Sequence, residues 1–360
     1  MYQRHYQLKE FYTLNKKTIA VLFGGCSSEY SVSLLSSYAV LKNIDRQKYN
    51  VIPIGITKEG DWYVYSGDID NIPNDSWRSE PAFLCPVAVS PNRSTHGIIE
   101  YGADGVKTTY IDCALPILHG KNGEDGTVQG VFELAGIPIA GCGSLSSSLC
   151  MNKHVAQRLA ETVGATVPKA ILLTEGDSTA SAFAFAAEFG YPVFVKPVKA
   201  GSSYGVTKVE GEASLAAAIA TAFEYDDAVM VEEAIVGREI SCAVMGKKEL
   251  VTGEIDETEV KCGFYDFNAK YFPTSTVIHV PARISAQERD RVKELAKKLY
   301  KALSCDGFAR VDFFYTEKGD IIFGEINTIP GFTEHSHFPT MMKAAGYSFS
   351  EIIDFFIQNA

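Results

Sequence analysis

Two apolar runs near the C-terminal end, residues 307–315 and 320–326, flank the turn-forming string Thr316-Glu-Lys-Gly-Asp320. Strands joined by so short a turn form a hairpin. The first run carries Arg310-Val-Asp312 and the second leads into Glu325-Ile-Asn327. Side chains two apart on a strand share a face, so Arg310 and Asp312 project together, as do Glu325 and Asn327. One face then presents an aspartate, a glutamate and an asparagine, all hard oxygen donors, beside a guanidinium. That set suits Mg²⁺ bridging nucleotide phosphates, with the arginine placed for developing negative charge. The bland alternative is a solvated face with a surface ion pair, and the flanking Phe308, Phe313 and Phe323 argue for burial instead.

A second signal is Val195-Lys196-Pro197 followed by Gly201-Ser202-Ser203-Tyr204-Gly205, set between two strands. A P-loop runs from a strand into a helix and ends in GK[ST], and this segment does neither. It reads as a hairpin flap whose backbone N–H groups can fold over phosphates, with Lys196 adding positive charge, or as an ordinary flexible turn. Met230-Val-Glu232-Glu233-Ala-Ile235 is a strand running into a connector, suited to an adenine edge or to no ligand. His119-Gly-Lys-Asn-Gly-Glu-Asp-Gly126 lies at the carboxyl end of an apolar strand, where open α/β sheets place ligands, and its glycines allow close backbone approach. His119 itself reads as structural or substrate-facing. Gly24-Gly25-Cys-Ser-Ser-Glu29 sits likewise at a strand end but lacks GxGxxG spacing, which makes it a small-ligand signal more than a dinucleotide one.

The remaining chain supplies a frame for these motifs. A β-loop-α opening from Thr18, with further apolar strands at 51–56 and 111–118 and a polar stretch over 66–95, predicts a parallel α/β, Rossmann-like N-terminal domain. Helices at 146–162, 178–189 and 213–223 alternate with strands at 192–196, 204–209 and 228–233, and from 239 strands dominate around helices at 286–303 and 348–358. The expectation is an extension at 1–16 followed by three lobes: an α/β lobe at 17–142, a central lobe with the flap at 143–238, and an α+β C-terminal lobe at 239–360. A net charge of −11 argues against nucleic acid or an anionic membrane as partner, so any phosphate site must be local. The eight cysteines have no CxxC pair and read as reduced, mostly buried thiols. No run approaches a membrane span and the first residues carry no leader pattern, which together predict a cytoplasmic protein.

In this order, the segments Gly24–Glu29, His119–Gly126, Met151-Asn-Lys153, Lys196-Pro with Gly201-Ser-Ser203, Phe264-Tyr-Asp266 with Ala269-Lys-Tyr271, and Glu325-Ile-Asn-Thr-Ile-Pro-Gly-Phe-Thr333 resemble the D-alanine–D-alanine ligase family of the ATP-grasp fold. The resemblance runs from about residue 18 to 358. It implies an enzyme that uses ATP and two Mg²⁺ ions, with Mn²⁺ as a substitute, and works as a homodimer. It also implies roles for particular residues. Lys153, Lys196 and Ser203 would hold ATP phosphates, Glu232, Glu233 and Ile235 the adenine, and Glu239 the ribose. Asp312, Glu325 and Asn327 would bind the metal. Glu29 would anchor the ammonium of the first D-alanine, linked by hydrogen bonds to Ser202 and Tyr271, with His119 close to its carboxylate. Lys270 would close over the γ-phosphate, and Arg310 with the Gly331 N–H would form the oxyanion site.

The same resemblance implies a dipeptide product. Ester-forming relatives lack the Lys270-Tyr271 pair. Leu84-Cys-Pro-Val, Asn92-Arg-Ser94 and Glu254-Ile-Asp-Glu257 give the chain the texture of the G-type vancomycin-resistance ligases, which join D-alanine to D-serine. Against that subgroup, Tyr265 replaces Phe, Ser31 stands where most relatives carry a carboxylate, and Glu334 and His337 depart from the usual residues. Asp256, Tyr265, Ser336 and His337 are expected around the second substrate, which is left between D-alanine and D-serine. The alternatives are an ATP-grasp ligase for another carboxylate and a non-catalytic nucleotide-binding module.

Overall fold

The structure is a computed structural model that describes residues 16–202, 204–260 and 276–360. The first lobe contains β1 (Lys17–Gly24), α1 (Tyr30–Asn43), β2 (Tyr49–Ile56), β3 (Trp62–Tyr65), β4 (Leu84–Val89), β5 (Gly97–Gly102), β6 (Gly105–Tyr110), β7 (Cys113–Pro116) and α2 (Thr127–Ala135). Ile19 to Phe23 are fully buried, which is why β1 reads as an unbroken apolar run: both of its faces are covered. It lies between β2 and β7 and is parallel to both. The expected parallel architecture ends there. From β2 outward the order β2-β3-β4-β5-β6 is an antiparallel meander. Most of its connections are too short for crossovers, with only Ala103 and Asp104 separating β5 from β6; the longer link from Tyr65 to Leu84 still returns β4 antiparallel to β3. The stretch expected to be polar and irregular therefore contains a strand, β4.

Next come α3 (Ser144–Met151), α4 (Lys153–Thr162), β8 (Ala170–Thr174), α5 (Ala180–Phe189), β9 (Val193–Pro197), β10 (Thr207–Val209), α6 (Glu212–Phe223) and β11 (Ala228–Glu233). The four strands make an antiparallel sheet in the order β10-β9-β11-β8. Ala182, Phe185 and Ala186 of α5 and Leu215, Ala218, Ile219 and Ala222 of α6 pack on one face of it against Val193, Val195, Val229 and Val231. The single helix predicted over 146–162 is two helices. Asn152 breaks it by taking an extended conformation, and its Oδ1 accepts the Val155 N–H at 3.0 Å as the cap of α4.

The last lobe holds β12 (Arg238–Met245), β13 (Val251–Thr252), β14 (Asp256–Val260), β15 (Thr276–His279), α7 (Ala286–Ala302), β16 (Phe308–Tyr315), β17 (Ile321–Asn327), α8 (His337–Ala344) and α9 (Phe349–Gln358). The antiparallel sheet runs β15-β14-β12-β16-β17, with β13 paired to β12. Val292, Ala296, Leu299 and Tyr300 of α7 share its core with Cys150 of α3 and Ala156 and Ala160 of α4. Helices 144–162 thus pack with the third sheet, although the sequence grouped them with the second. The chain also closes on itself. Phe338, Met341 and Met342 of α8 and Ile352, Ile353 and Phe356 of α9 share one core with Ile19, Val21 and Phe23 of β1. Phe308 and Phe356 stack at its centre with ring centroids 4.0 Å apart.

Candidate active site

Strands β16 and β17 pair as predicted, but the shared polar face depends on an irregularity that the sequence reading did not include. Near the turn Tyr315 pairs with Ile321 and Phe313 with Phe323; beyond it Asp312 pairs with Glu325 and Arg310 with Asn327. The slip leaves Gly324 unpaired as a bulge. Continued strictly, the first register would have set Glu325 opposite Val311, on the core face. With the bulge, Asp312 and Glu325 are direct neighbours on the working face. Arg310 lies along the same face and forks onto Asp312, with Nε to Oδ1 and Nη2 to Oδ2 both 2.7 Å; Asn327 Nδ2 donates to Oδ2 at 2.8 Å. The donor set fits a hard divalent cation: two adjacent carboxylates and an amide, with no soft ligand. Among the described residues no group of three or more His, Cys, Asp or Glu side chains could hold a metal, so phosphate and water oxygens must complete any shell here.

Glu29 immediately precedes α1 and is 5% exposed. Its backbone is fixed by Ser27, whose Oγ accepts the Glu29 N–H at 3.1 Å and donates to the His119 carbonyl at 2.6 Å. Two glycines wrap the carboxylate. A Cβ at Gly120 would stand 2.5 Å from Glu29 Oε2, and one at Gly201 2.6 Å from the same atom. Ser202 donates its hydroxyl to Glu29 Oε1 across a separation of 173 residues, and holds a left-handed φ of 46° to do so. The glycine-serine flap therefore lies over the first-lobe loops.

Three side chains around this cradle reach the segment carrying Gly331. His119 is buried, with Nε2 3.0 Å from Ser36 Oγ and a second ring hydrogen bond to the Ile329 backbone. Burial pushes its pKa down to about 4, so the ring is neutral. Glu124 accepts the Gly120 N–H at 2.8 Å and the Ile329 N–H at 3.3 Å. Desolvation and the neighbouring Glu29 carboxylate push its carboxyl above the usual range. Ser36 accepts the Phe332 N–H at 3.2 Å, and Ser336 the Thr333 N–H at 3.0 Å. Ile329, Phe332 and Thr333 thus all give up their N–H groups, and Pro330 has none. Among the described residues the Gly331 N–H has no protein acceptor. The sequence reading did not single out Glu124 or Ser36; the Gly-Glu-Asp-Gly string was the available signal for the first, and nothing marked the second.

On the phosphate side, Lys153 Nζ donates to the Ala200 carbonyl of the flap at 2.7 Å and lies 3.7 Å from Glu325 Oε2. Lys196 pairs with Glu232, whose other oxygen takes Gln157 Nε2 at 2.8 Å. The Glu232 side chain, expected beside an adenine, is 4% exposed, with one carboxylate oxygen on Lys196 and the other on Gln157. Glu233 accepts the Lys169 N–H at 2.8 Å, Ile235 is half-buried in the connector, and Glu239 sits in β12 between Phe314 and Thr258. At the far end, buried Asp256 receives His337 Nδ1 at 2.5 Å. Ser203, Tyr265, Lys270 and Tyr271 lie outside the described residues.

Comparison with known proteins agrees with this geometry. Residues 18–142 match the family model described as D-ala D-ala ligase N-terminus, and residues 159–358 match that described as D-ala D-ala ligase C-terminus. A D-alanine–D-alanine ligase of Caldicellulosiruptor bescii is 41% identical, over 95% of this chain and 94% of its own. The vancomycin B-type resistance protein VanB of Enterococcus faecalis is 42% identical, over 95% and 97%. The crystal structure of the VanG D-Ala:D-Ser ligase from Enterococcus faecalis superposes with a TM-score of 0.89 at 50% identity, covering 95% of this chain and 99% of that one. With family models spanning both halves and a carboxylate-and-arginine face opposite a glycine-lined carboxylate, the chain belongs to the D-alanine–D-alanine ligase family, ATP-dependent ligases of the ATP-grasp fold.

Proposed function

We propose that this chain joins D-alanine to a second D-amino acid, D-alanine or D-serine, through a D-alanyl phosphate, to supply a dipeptide for peptidoglycan. The observation that carries the reading is the Glu29 carboxylate, enclosed by Gly120 and Gly201 and bonded to the flap by Ser202. An anion so enclosed suits an ammonium group, and the bond to Ser202 lets the flap close where that group binds. The first D-alanine would then aim its carboxylate toward the face of Arg310, Asp312, Glu325 and Asn327.

Two Mg²⁺ ions, held by Asp312, Glu325 and Asn327, would supply charge neutralisation for the transferring phosphoryl group. Lys153 and Lys196 start from acceptors that ATP phosphates can replace, the Ala200 carbonyl and the Glu232 carboxylate. Attack by the D-alanine carboxylate on the γ-phosphorus breaks the bond to ADP and gives the acyl phosphate. The neutral amine of the second substrate then attacks the acyl carbon and expels phosphate. Arg310 and the Gly331 N–H face the charge that develops on the acyl oxygen, a contribution of about 3 to 4 kcal/mol per donor in comparable sites. Water must be excluded meanwhile, which gives the flap its purpose.

One observation favours D-serine. Asp256 Oδ1 is buried without a hydrogen-bond partner among the described residues, beside His337. A hydroxyl supplied by the second substrate would satisfy it, and a site left with an unpaired polar atom by D-alanine discriminates against D-alanine. D-serine incorporation would confer vancomycin resistance. A homodimer in the cytoplasm completes the proposal; among the described residues no helix is long and apolar enough to cross a membrane. The test is a competition assay with ATP, Mg²⁺, D-alanine and D-serine, read by product mass. A preparation that releases no phosphate with either amino acid refutes ligase activity, and a product containing only D-alanine refutes the D-serine preference.

A further inference from the structure

Resting on that ligase reading, we infer that Glu124, His119 and Ser36 form a clamp from the first lobe that positions the Gly331 N–H for the acyl-transfer step. The contacts are main-chain contacts and they straddle the donor. On one side Ile329 gives its N–H to Glu124 at 3.3 Å and is bonded through its backbone to the His119 ring. On the other, Phe332 gives its N–H to Ser36 at 3.2 Å. His119 and Ser36 are joined at 3.0 Å, and the second Glu124 oxygen takes the Gly120 N–H at 2.8 Å. The Ile329-Pro330-Gly331-Phe332 segment is thus fixed at its first and last residues, and Pro330 between them has restricted φ.

The clamp links two places that chemistry requires to be in register. Gly120 forms part of the wall around Glu29, while Gly331 stands on the third lobe after β17. Nothing along the chain fixes their separation, because more than half of the sequence lies between them. A main-chain donor misplaced by about 1 Å would bind a planar carboxylate nearly as well as before and a tetrahedral oxyanion much worse. The three residues are positioning residues; none needs to touch substrate. Ser36 lies on the buried side of α1, and its hydroxyl is engaged by His119 and by the Phe332 N–H.

The expected signature separates kcat from KM. Glu124→Gln leaves one oxygen for two N–H donors, and Ser36→Ala removes the Phe332 acceptor with little change of volume. Each is expected to lower kcat by about 10- to 100-fold, the scale of an ångström misplacement, with KM for ATP and for the first D-alanine within about twofold of wild type. The acyl phosphate should then survive long enough to meet water, so phosphate released per dipeptide formed rises above one. Glu124→Asp, which keeps both acceptor oxygens, should recover part of kcat. Variants that fall only in thermal stability, with wild-type kcat and a phosphate-to-dipeptide ratio of one, overturn the clamp. So does a Glu124→Gln variant in which KM for D-alanine rises and kcat does not fall, since that marks a substrate-binding residue. Wild-type protein that makes no dipeptide at all would instead refute the ligase reading itself.

Discussion

Gly201→Ala tests whether the flap belongs over the first-substrate carboxylate. Alanine is acceptable to the backbone, because Gly201 lies outside the left-handed region. Its new Cβ would stand 2.6 Å from Glu29 Oε2, where ordinary contact begins at 3.4 Å, so carboxylate or flap must give way by about 0.8 Å. The carboxylate is 5% exposed and bonded to Ser202, and Gly120 closes its other side, where a Cβ would stand 2.5 Å away, so it cannot swing aside without losing its setting. A displacement near 1 Å costs up to about 10²-fold in rate, or about 2.7 kcal/mol at the transition state. Stability is a separate readout, because the gain of about 0.4 to 1 kcal/mol from replacing glycine holds only where the new side chain fits without strain. The assay is D-alanine-dependent ADP release at saturating ATP, paired with thermal melting. Gly130→Ala is the control, because a Cβ there meets nothing within 4 Å. A Gly201→Ala enzyme with wild-type kcat/KM would refute the placement of the flap over Glu29; one that melts early would show that the glycine serves folding instead.

Three further outcomes are expected. Glu325→Gln should lower Mg²⁺-dependent turnover by about 10²- to 10³-fold in the same assay, the range for loss of one group that stabilises developing charge, with little change in melting temperature. His119 is neutral and buried with its pKa lowered from 6.5 to about 4, so its contribution to stability is complete above pH 6.5 and is lost as pH falls toward 4. That amounts to about 3 kcal/mol, and urea titrations across this range should show a correspondingly shallower pH dependence in His119→Gln. Phe356→Ala empties the stack on Phe308 and should cost about 3 to 5 kcal/mol by denaturant unfolding; because that core joins α9 to β1, both lobes should melt together earlier.

Much of the site was legible because its residue types are chemically committed. A lysine before a glycine-serine turn, and carboxylates set two residues from an arginine and from an asparagine among phenylalanines, have few uses in a packed sheet. What escaped was mostly a matter of phase and partnership. On β16 the core residues Ala309, Val311, Phe313 and Tyr315 alternate strictly, whereas on β17 Ile321 and Phe323 are followed by Ile326, three residues on. That break in period is the trace of the bulge, visible in the sequence once Gly324 is known to absorb it. The meander β3 to β6 escaped because β6 is almost wholly exposed and so shows no apolar pattern. The ion pair of Glu232 with Lys196 was equally invisible, since it is set by the register of β9 against β11. Ser36 escaped because a buried serine on a helix has no signature of its own.

The bulge at Gly324 also bears on how errors in this protein are detected. A hairpin that closed in the unslipped register would carry Glu325 into the apolar core beneath β16 and lift Ile326 to the surface. Burying an unpaired carboxylate costs several kcal/mol, a large share of what holds a typical domain together. A chain with that mistake would not persist as a folded, inactive ligase that wastes D-alanine or ATP; it would stay open to proteases and chaperones. The glycine that brings the two carboxylates together thus also makes the hairpin its own inspector: a molecule that passes as folded has, by the same slip of one residue, its cation face assembled.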